Sequence, residues 1–266
     1  MTYTMGVDIG SITSKCVILR DGKVVTATAI IRAGTGSDGP QRAVAEALRL
    51  AALSRSEIAY AVATGYGRVT YDDADEELSE IACHGRGAVF QEPLARTVID
   101  IGGQDAKAIK LGAGGRVLNF AMNEKCAAGT GRFLEVMAQA LGYPLSELGA
   151  LGEKSTEKVS ISSTCTVFAE SEVISHLAAN RKVEDVVAGI HESIARRIAG
   201  LVRRIGLEQK VLMTGGVAQN SGVVKALEER LECPLVVPVY TQANGALGAA
   251  VFAFAKYQKN KEEHVE

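Results

Sequence analysis

The sequence carries one short pattern twice, and this repeat limits the possible fold more than any other feature. The first copy is Val7-Asp8-Ile9-Gly10 followed by Lys15, and the second is Ile99-Asp100-Ile101-Gly102 followed by Lys107. In both copies an apolar run reaches an aspartate, and the lysine stands seven positions after that aspartate. Two copies at a single offset indicate a duplicated domain rather than a solenoid.

Each copy has the pattern of three strands joined by tight turns. An apolar run follows each lysine and passes through a glycine turn, Asp21-Gly22 or Gly114-Gly115, into another apolar run. Elsewhere, apolar residues at helical spacing predict helices over 41–52, 131–141, 167–178 and 183–205. Further strands are expected over 59–64 and between Pro234 and Pro238. Strands that alternate with helices predict an α/β protein.

The polar loop after the first aspartate has the chemistry of a phosphate site. Asp8 at the end of a strand can hold Mg²⁺, which prefers a few carboxylates together with phosphate oxygens. Gly10 allows the backbone to approach a phosphate closely. Hydroxyl groups and a cation for the phosphoryl oxygens come from Ser11, Thr13, Ser14 and Lys15. A polar hairpin turn explains this loop equally well when it is considered alone.

The second copy favours the phosphate interpretation. From Asp100 it continues as Gly102-Gly103-Gln104-Asp105, so two matching acidic loops from duplicated lobes can face each other across a cleft and hold a polyphosphate. A third loop runs from Thr214-Gly215-Gly216 to Gln219, and a fourth lies around Gln242. Either glycine-containing loop is weak evidence by itself, but in this order the four loops complete a nucleotide site.

The composition argues against several other classes of protein. The 266 residues carry 29 Lys and Arg against 31 Asp and Glu, a balance that does not favour nucleic-acid binding through bulk charge. No apolar run approaches the roughly 18 residues of a membrane span. The first residues lack the basic start and the cleavage site of a signal peptide, so we expect a cytoplasmic location.

The cysteines do not form a disulfide framework. There are five of them at wide spacings, namely Cys16, Cys83, Cys126, Cys165 and Cys233. An odd number without a CxxC pair suits a reducing compartment. Any metal site would therefore take its ligands from distant segments or from two chains.

The loops and the duplication resemble the acetate and sugar kinase/Hsp70/actin superfamily, and two further segments resemble a narrower family. Residues 123–134 (NEKCAAGTGRFL) and 162–172 (SSTCTVFAESE) look like the two cysteine segments of the activator ATPases of 2-hydroxyacyl-CoA dehydratases. These proteins, also called archerases, are of the BadF/BadG/BcrA/BcrD type and are related to the ATPase subunits of benzoyl-CoA reductase. The resemblance covers nearly the whole chain.

The resemblance implies an actin/sugar-kinase/Hsp70 fold, in which two ribonuclease-H-like lobes enclose an ATP cleft. Lobe one is expected over 1–95, joined by a C-terminal helix over 240–258, and lobe two over 96–239. Asp8 and Asp100 would hold Mg²⁺ and the lytic water of bound ATP. That water could be oriented by Asp100, Gln104 or Asp105, and the sequence does not choose among them.

The same resemblance assigns the remaining nucleotide contacts. Phosphate contacts are expected from Ser11, Ile12, Thr13, Ser14, Lys15, Gly103 and Gln104. Adenosine contacts are expected from Gly215, Gly216, Gln219 and Gln242. At one position the sequence departs from the superfamily, because Ile12 replaces the usual Thr or Ser. Backbone N–H groups would then serve the phosphate in place of that side chain.

The resemblance further implies that each subunit of a homodimer gives Cys126 and Cys165 to one [4Fe–4S] cluster on the dimer axis. A two-fold axis doubles every ligand, and such a cluster needs about four thiolates. Both cysteines precede predicted helix starts, where free N–H groups stabilise negative charge. Cys16 and Cys233 are expected to be packing residues. Cys83 stands beside His84, a pair that could suggest a nucleophile, but no acid is obviously placed to orient the histidine, so packing is favoured for Cys83 as well. In the implied anaerobic cycle, a ferredoxin or flavodoxin supplies the electron that ATP turnover drives into a 2-hydroxyacyl-CoA dehydratase.

Other functions remain open at this point. One is the ATPase subunit or activator of a benzoyl-CoA-type or double-cubane-cluster reductase. A small-molecule kinase of the same fold would need a substrate-binding insertion, and it leaves Cys126 and Cys165 without a role. A nucleotide-dependent scaffold of the actin or chaperone type is weakened because no peptide-binding domain follows the nucleotide loops.

Overall fold

The computed structural model describes residues 1–123, 126–157, 159–162 and 165–263. The chain divides into two compact units. The first unit comprises Met1–Arg96, Leu111–Leu118 and Pro238–Glu266, and the second comprises Thr97–Lys110 and Asn119–Val237. None of the helices in the described residues is long and apolar enough to cross a membrane.

Ten strands and eight α-helices make up the regular structure of the described residues. The strands are β1 (Tyr3–Ile9), β2 (Ser14–Arg20), β3 (Val24–Ile31), β4 (Ile58–Thr64), β5 (Glu76–Glu77), β6 (Thr97–Ile101), β7 (Ala106–Leu111), β8 (Val117–Asn123), β9 (Val211–Thr214) and β10 (Leu235–Val236). The helices are α1 (Gly39–Ala51), α2 (Glu80–Gln91), α3 (Gly131–Leu141), α4 (Leu148–Gly152), α5 (Thr166–Ala178), α6 (Val183–Ile205), α7 (Ser221–Leu231) and α8 (Asn244–Glu263).

The two sheets have the same topology, which confirms the predicted duplication. One sheet has the strand order β3-β2-β1-β4-β5, and the other has the order β10-β9-β6-β7-β8. In each, an antiparallel meander of three strands is extended by a parallel neighbour, β4 beside β1 and β9 beside β6. The turns within the meanders use left-handed residues in both copies, with φ of 53° and 64° at Asp21 and Gly22 and of 66° and 80° at Gly114 and Gly115.

The pairing register explains the seven-residue spacing of the repeated motif. Asp8 on β1 stands opposite Lys15 on β2, and Asp100 on β6 stands opposite Lys107 on β7. The side chains of directly opposite residues in an antiparallel hairpin point to the same face of the sheet, so each lysine lies beside its aspartate. The motif is therefore a structural unit of the hairpin, and it occurs once in each sheet.

The helix predictions are largely confirmed. Helices α3 and α6 have the predicted bounds, while α1 and α5 begin one or two residues before the predicted starts. Helix α6 is the centre of the second unit, and its apolar face includes Ile190, Ile194 and Ile198, all essentially buried. A strongly amphipathic pattern of this kind is the clearest signal that a sequence offers for a helix.

Helix α8 packs against the first sheet and against α2 through small residues. A side chain at Gly6 on β1 would collide with the backbone of Ala246, and a side chain at Gly248 would collide with the Cys83 carbonyl on α2. The backbones of these elements therefore approach closely, and only glycine permits the approach.

This packing predicts that Gly248→Ala destabilises the protein. The added methyl group has no room beside α2, so we expect a loss of about 1–3 kcal/mol of unfolding free energy, as for other overpacked sites. Gly200→Ala in the middle of α6 is the matched control, because nothing lies within 4 Å of its added Cβ. That variant should gain about 0.5–1 kcal/mol from helix propensity. Urea unfolding followed by circular dichroism measures both, and equal stabilities of the two variants would contradict the packing described.

Candidate functional site

The first aspartate loop joins β1 to β2 and carries a charge pair. Asp8 is 6% exposed, and its Oδ2 lies 3.2 Å from the Lys15 Nζ. The loop is closed by the Gly10 N–H, which donates to the Thr13 carbonyl at 3.0 Å. A carboxylate and an ammonium group thus lie together at the base of a short glycine loop, an arrangement that can hold a cation and a phosphate side by side.

The other residues of this loop differ in accessibility. Ser11 is exposed, whereas Ile12 and Thr13 are half-buried. Ser14 is fully buried, and its hydroxyl donates to the Ala33 carbonyl at 2.7 Å. The hydroxyl hydrogen of Ser14 is therefore already used within the protein. Thr35, a residue that the sequence did not single out, donates from both its N–H and its hydroxyl to the Gly10 carbonyl at 2.9 and 3.1 Å.

The second aspartate loop joins β6 to β7 and repeats the first with one added carboxylate. Asp100 accepts a hydrogen bond from the Thr214 hydroxyl at 2.7 Å, and its other oxygen lies 3.5 Å from the Lys107 Nζ. Lys107 is also paired with Asp105 at 2.9 Å. The loop is closed by the Gly102 N–H, which donates to the Asp105 carbonyl at 3.0 Å. Among the three residues predicted to orient a water, Asp100 and Asp105 are thus bonded to Lys107, while the Gln104 side chain is exposed.

The third loop follows β9 in the second unit. Gly215 has a φ of 88°, and a Cβ at this position would collide with the Ile101 carbonyl, so glycine is required here. Gly216 and Gln219 are exposed. The Asn220 side chain then accepts from the Val223 N–H at 3.0 Å and caps α7. Gln242, the remaining residue of the predicted adenosine set, is half-buried in the turn before α8 of the first unit.

Both cysteines predicted to bind the cluster, Cys126 and Cys165, lie in the second unit, and they are more accessible to solvent than the other three cysteines. Cys165 is exposed and is the N-cap residue of α5, and Cys126 is half-buried. Cys16, Cys83 and Cys233 are buried. The Glu124, Lys125, Ser163 and Thr164 positions of the two cysteine segments lie outside the described residues.

Burial also separates the five thiols chemically. Desolvation raises the pKa of Cys83 to about 12, and burial raises the pKa of Cys16 and of Cys233 as well. A thiol must lose its proton to bind a metal, so these three are poor ligands. The burial of these three cysteines is therefore consistent with the prediction that they are packing residues.

Accessible metal donors in the part of the chain that the structure describes include the thiols of Cys126 and Cys165. No group of three or more His, Cys, Asp or Glu side chains there is arranged to hold a metal ion. Cys126 and Cys165 have the thiol chemistry that an iron–sulfur cluster binds, and Cys165 stands at a helix N-terminus.

Backbone hydrogen bonds join the second aspartate loop to the segment that carries Cys126. The Gly131 and Arg132 N–H groups, in the first turn of α3, donate to the Gly102 and Gly103 carbonyls, both at 2.8 Å. On the other side of this helix start, the Asn123 side chain donates to the Cys126 carbonyl at 2.9 Å. Free N–H groups at a helix start need partners, and here the loop carbonyls supply them. No pattern in the sequence indicated these bonds.

Comparisons with known proteins agree with this geometry. Residues 5–253 match the BadF/BadG/BcrA/BcrD ATPase family. The chain is 54% identical, over 98% of both chains, to the 2-hydroxyisocaproyl-CoA dehydratase activator of Clostridioides difficile. It is 33% identical, over 97% of this chain and 95% of the relative, to one of the benzoyl-CoA reductase subunits of Thauera aromatica.

Solved structures give the same result for the fold. The activator of the 2-hydroxyisocaproyl-CoA dehydratase from Clostridium difficile with bound ADPNP superposes with a TM-score of 0.95, at 53% identity and over 98% of both chains. A ROK family glucokinase from Streptomyces griseus, only 13% identical, superposes with a TM-score of 0.58 over 94% of this chain and 99% of the other. The predicted actin/sugar-kinase/Hsp70 fold is therefore confirmed, and the chain belongs to the BadF/BadG/BcrA/BcrD ATPase family.

Proposed function

We propose that this chain is the ATP-dependent activator of a 2-hydroxyacyl-CoA dehydratase, to which it delivers single electrons. The observation that carries the proposal is the pair of hydrogen bonds from Gly131 and Arg132 to Gly102 and Gly103. They attach a nucleotide loop directly to the helix start beside Cys126. An ATPase without electron transfer would have no use for accessible cysteines at this place.

Mg·ATP is the nucleotide in this proposal. Asp8 and Asp100 each contribute a carboxylate to the metal or its water shell, since each stands one residue before the end of a strand and beside a lysine. Phosphate contacts come from Ser11, Ile12, Thr13 and Lys15 and from Gly103-Gln104, and adenosine contacts come from Gly215, Gly216, Gln219 and Gln242. Because Ser14 is bonded to Ala33, its part in the first loop is to hold the turn. Gln104 is the best placed of the three residues considered for the water, because its side chain is exposed.

Cys126 and Cys165 are the proposed protein ligands of the cluster, each chain of a homodimer giving two thiolates. When bound, a [4Fe–4S] cluster supplies the storage and release of one electron. The N–H groups at the start of α5 stabilise the negative charge of the Cys165 thiolate. The Asn123 side chain fixes the backbone at Cys126.

An exposed apolar surface beside Cys165 supports the homodimer. Val167, Phe168 and Ile174 on α5 are 66%, 68% and 52% exposed. Apolar side chains of this size grouped beside a proposed ligand indicate a contact surface. A two-fold axis near Cys165 would cover them and bring the second pair of cysteines.

The electron donor and the acceptor are partner proteins. We propose a ferredoxin or flavodoxin as donor and an iron–sulfur dehydratase as acceptor. ATP can drive the transfer only if the ATP-bound state favours the conformation that binds the acceptor. The bonds between the second loop and α3 give the nucleotide a direct way to act on the Cys126 segment.

A benzoyl-CoA-type or double-cubane-cluster reductase is the second candidate acceptor. The identity of 54% to a dehydratase activator, against 33% to a benzoyl-CoA reductase subunit, favours the dehydratase. A kinase function is disfavoured because it leaves Cys126 and Cys165 without a role.

An anaerobic activation assay tests the proposal. The chain is purified and reconstituted with iron and sulfide without oxygen, reduced, and mixed with a purified 2-hydroxyacyl-CoA dehydratase and its substrate. We expect turnover that depends on ATP and is absent with ADP alone. A parallel reaction contains a benzoyl-CoA-type reductase catalytic component. Activation of that component and not of any dehydratase would replace the first candidate by the second, and ATP-independent activity would contradict both.

A further inference from the structure

His84 and Asp8 lie on either side of Gly245, whose missing side chain leaves a small space next to both. A Cβ built on Gly245, at the start of α8, would lie 3.0 Å from the Asp8 Oδ2 and 3.3 Å from the His84 Nε2. The carboxylate and the imidazole therefore border the same small space, and a side chain at position 245 would fill it. Asp8 and His84 are 6% and 7% exposed, so this space is inside the first unit.

A chain of hydrogen bonds determines which nitrogen of His84 carries the hydrogen. It begins at the Tyr240 N–H, which is 2.8 Å from the Gln91 Oε1. A backbone N–H can only donate, so the oxygen of the Gln91 amide must face it. The nitrogen of that amide then faces the other way and donates to the Asn244 Oδ1 at 3.0 Å. Because its oxygen is turned to Gln91, Asn244 presents its NH₂ group to His84.

The Asn244 amide contacts His84 twice. Its Nδ2 donates to the His84 backbone carbonyl at 3.0 Å and lies 3.3 Å from the His84 Nδ1. A neutral imidazole has one donor and one acceptor nitrogen, and a nitrogen that faces an NH₂ group must accept. Nδ1 is therefore the acceptor, and the ring hydrogen is on Nε2, the nitrogen on the side of Asp8.

We infer that His84 is a positioning residue for Asp8, held in its Nε2–H tautomer by Asn244 and Gln91. An N–H directed at a carboxylate fixes its orientation, as the outer partners of metal-binding carboxylates do. The inference rests on the proposed role of Asp8 toward Mg·ATP. From the sequence, no acid was placed to orient His84, whereas in the structure Asp8 lies beside it. The packing prediction made for Cys83 is unaffected.

Gln91→Glu tests this inference without changing His84 or Asn244, because Gln91 acts on His84 only through Asn244 in this chain of hydrogen bonds. A carboxylate has no hydrogen to donate, so both of its oxygens accept, one from Tyr240 and the other from Asn244. Turning the Asn244 NH₂ group to the charged residue 91 brings the Asn244 oxygen to His84 and costs the hydrogen bond to the His84 carbonyl, and the charge on residue 91 favours this turn. That oxygen requires a hydrogen on Nδ1, so the tautomer of His84 should invert. Gln41→Glu on the exposed part of α1 is the matched control.

Two measurements are made on each variant of the full chain. Nitrogen-15 NMR of labelled histidine identifies the tautomer without any nucleotide or metal, and His84→Gln assigns the signal. The Mg²⁺ concentration for half-maximal ATPase activity reports the state of Asp8. We expect Nε2–H in the wild type and in Gln41→Glu, and Nδ1–H in Gln91→Glu with a rise of about tenfold in the Mg²⁺ requirement.

The outcomes separate this inference from the proposed function. An Nδ1–H tautomer in the wild type, or inversion without any change in the Mg²⁺ requirement, would overturn the role of His84. His84→Gln, which keeps a donor near the Nε2 position, should retain more Mg²⁺ affinity than His84→Ala. An equal loss of Mg²⁺ affinity in these two variants would also overturn the role of His84. The comparison of these two variants replaces the Gln91→Glu test if that variant does not fold. A wild-type chain with the Nε2–H tautomer but no ATPase activity would overturn the proposed function and, with it, the role given to His84.

Discussion

Asp100→Asn is expected to lower the activation of a dehydratase by about 100-fold or more, the scale on which single electrostatic groups act in active sites. The carboxylate would lose its charge toward Mg²⁺ and toward the lytic water, while its size would stay almost unchanged. An amide oxygen can still accept from the Thr214 hydroxyl, and Lys107 keeps its ion pair with Asp105 at 2.9 Å. We therefore expect a folded chain with a normal iron content and very slow ATP hydrolysis.

The measurement is anaerobic and follows two rates. The reduced variant is loaded with ATP, mixed with the dehydratase, and assayed for phosphate release and for substrate turnover. Asp185→Asn is the control, since this carboxylate of the same unit accepts hydrogen bonds from Ser155, Thr156 and Glu157 and is not among the predicted nucleotide residues. It should lower stability without changing the activity of the folded fraction. Normal activation of the dehydratase by an Asp100→Asn chain that does not hydrolyse ATP would leave ATP binding alone as the driving event.

Cys126→Ala and Cys165→Ala are each expected to reduce the iron content per dimer to below about a tenth of wild type. In the proposed dimer either change removes two of about four thiolates, and no described acidic or histidine cluster offers replacements. Cys233→Ala is the matched control, because that thiol is buried and its pKa is raised. Iron analysis and the visible absorption of anaerobically reconstituted protein measure all three. Full iron retention in Cys126→Ala would rule out the shared site.

The sequence predicted those parts of the structure that depend on short repeats and clear periodicity. The Asp8–Lys15 and Asp100–Lys107 pairs follow from a hairpin of fixed length. Helix α6 follows from a long amphipathic pattern that ends at Gly206. Helix α2 was not predicted, because its contact with α8 is made through glycine and alanine, and a face of small residues has a weak hydrophobic period.

The relations within the candidate site depend on residues that are distant in sequence. His84 and Asn244 are 160 positions apart, and Thr214 stands 114 positions from Asp100. The bonds from Gly131 and Arg132 to the second loop use backbone atoms, which leave no trace in the choice of side chain. A single sequence contains no information about such partners until the fold brings them together, so it predicted the chemistry of the loops but not their supports.

The division of the first unit into three stretches determines the order in which the protein can fold on the ribosome. Pro238–Glu266 is synthesised after the whole of the second unit. Until this stretch emerges, Val17 and Leu19 lack the α8 residues Ala246, Leu247 and Ala250 that cover them. Chains grow at about 5–20 residues per second, so the N-terminal sheet waits for several seconds while the second unit folds. During that interval the nascent chain presents an open apolar face to chaperones, and a message truncated before α8 yields a product in which that face is never closed.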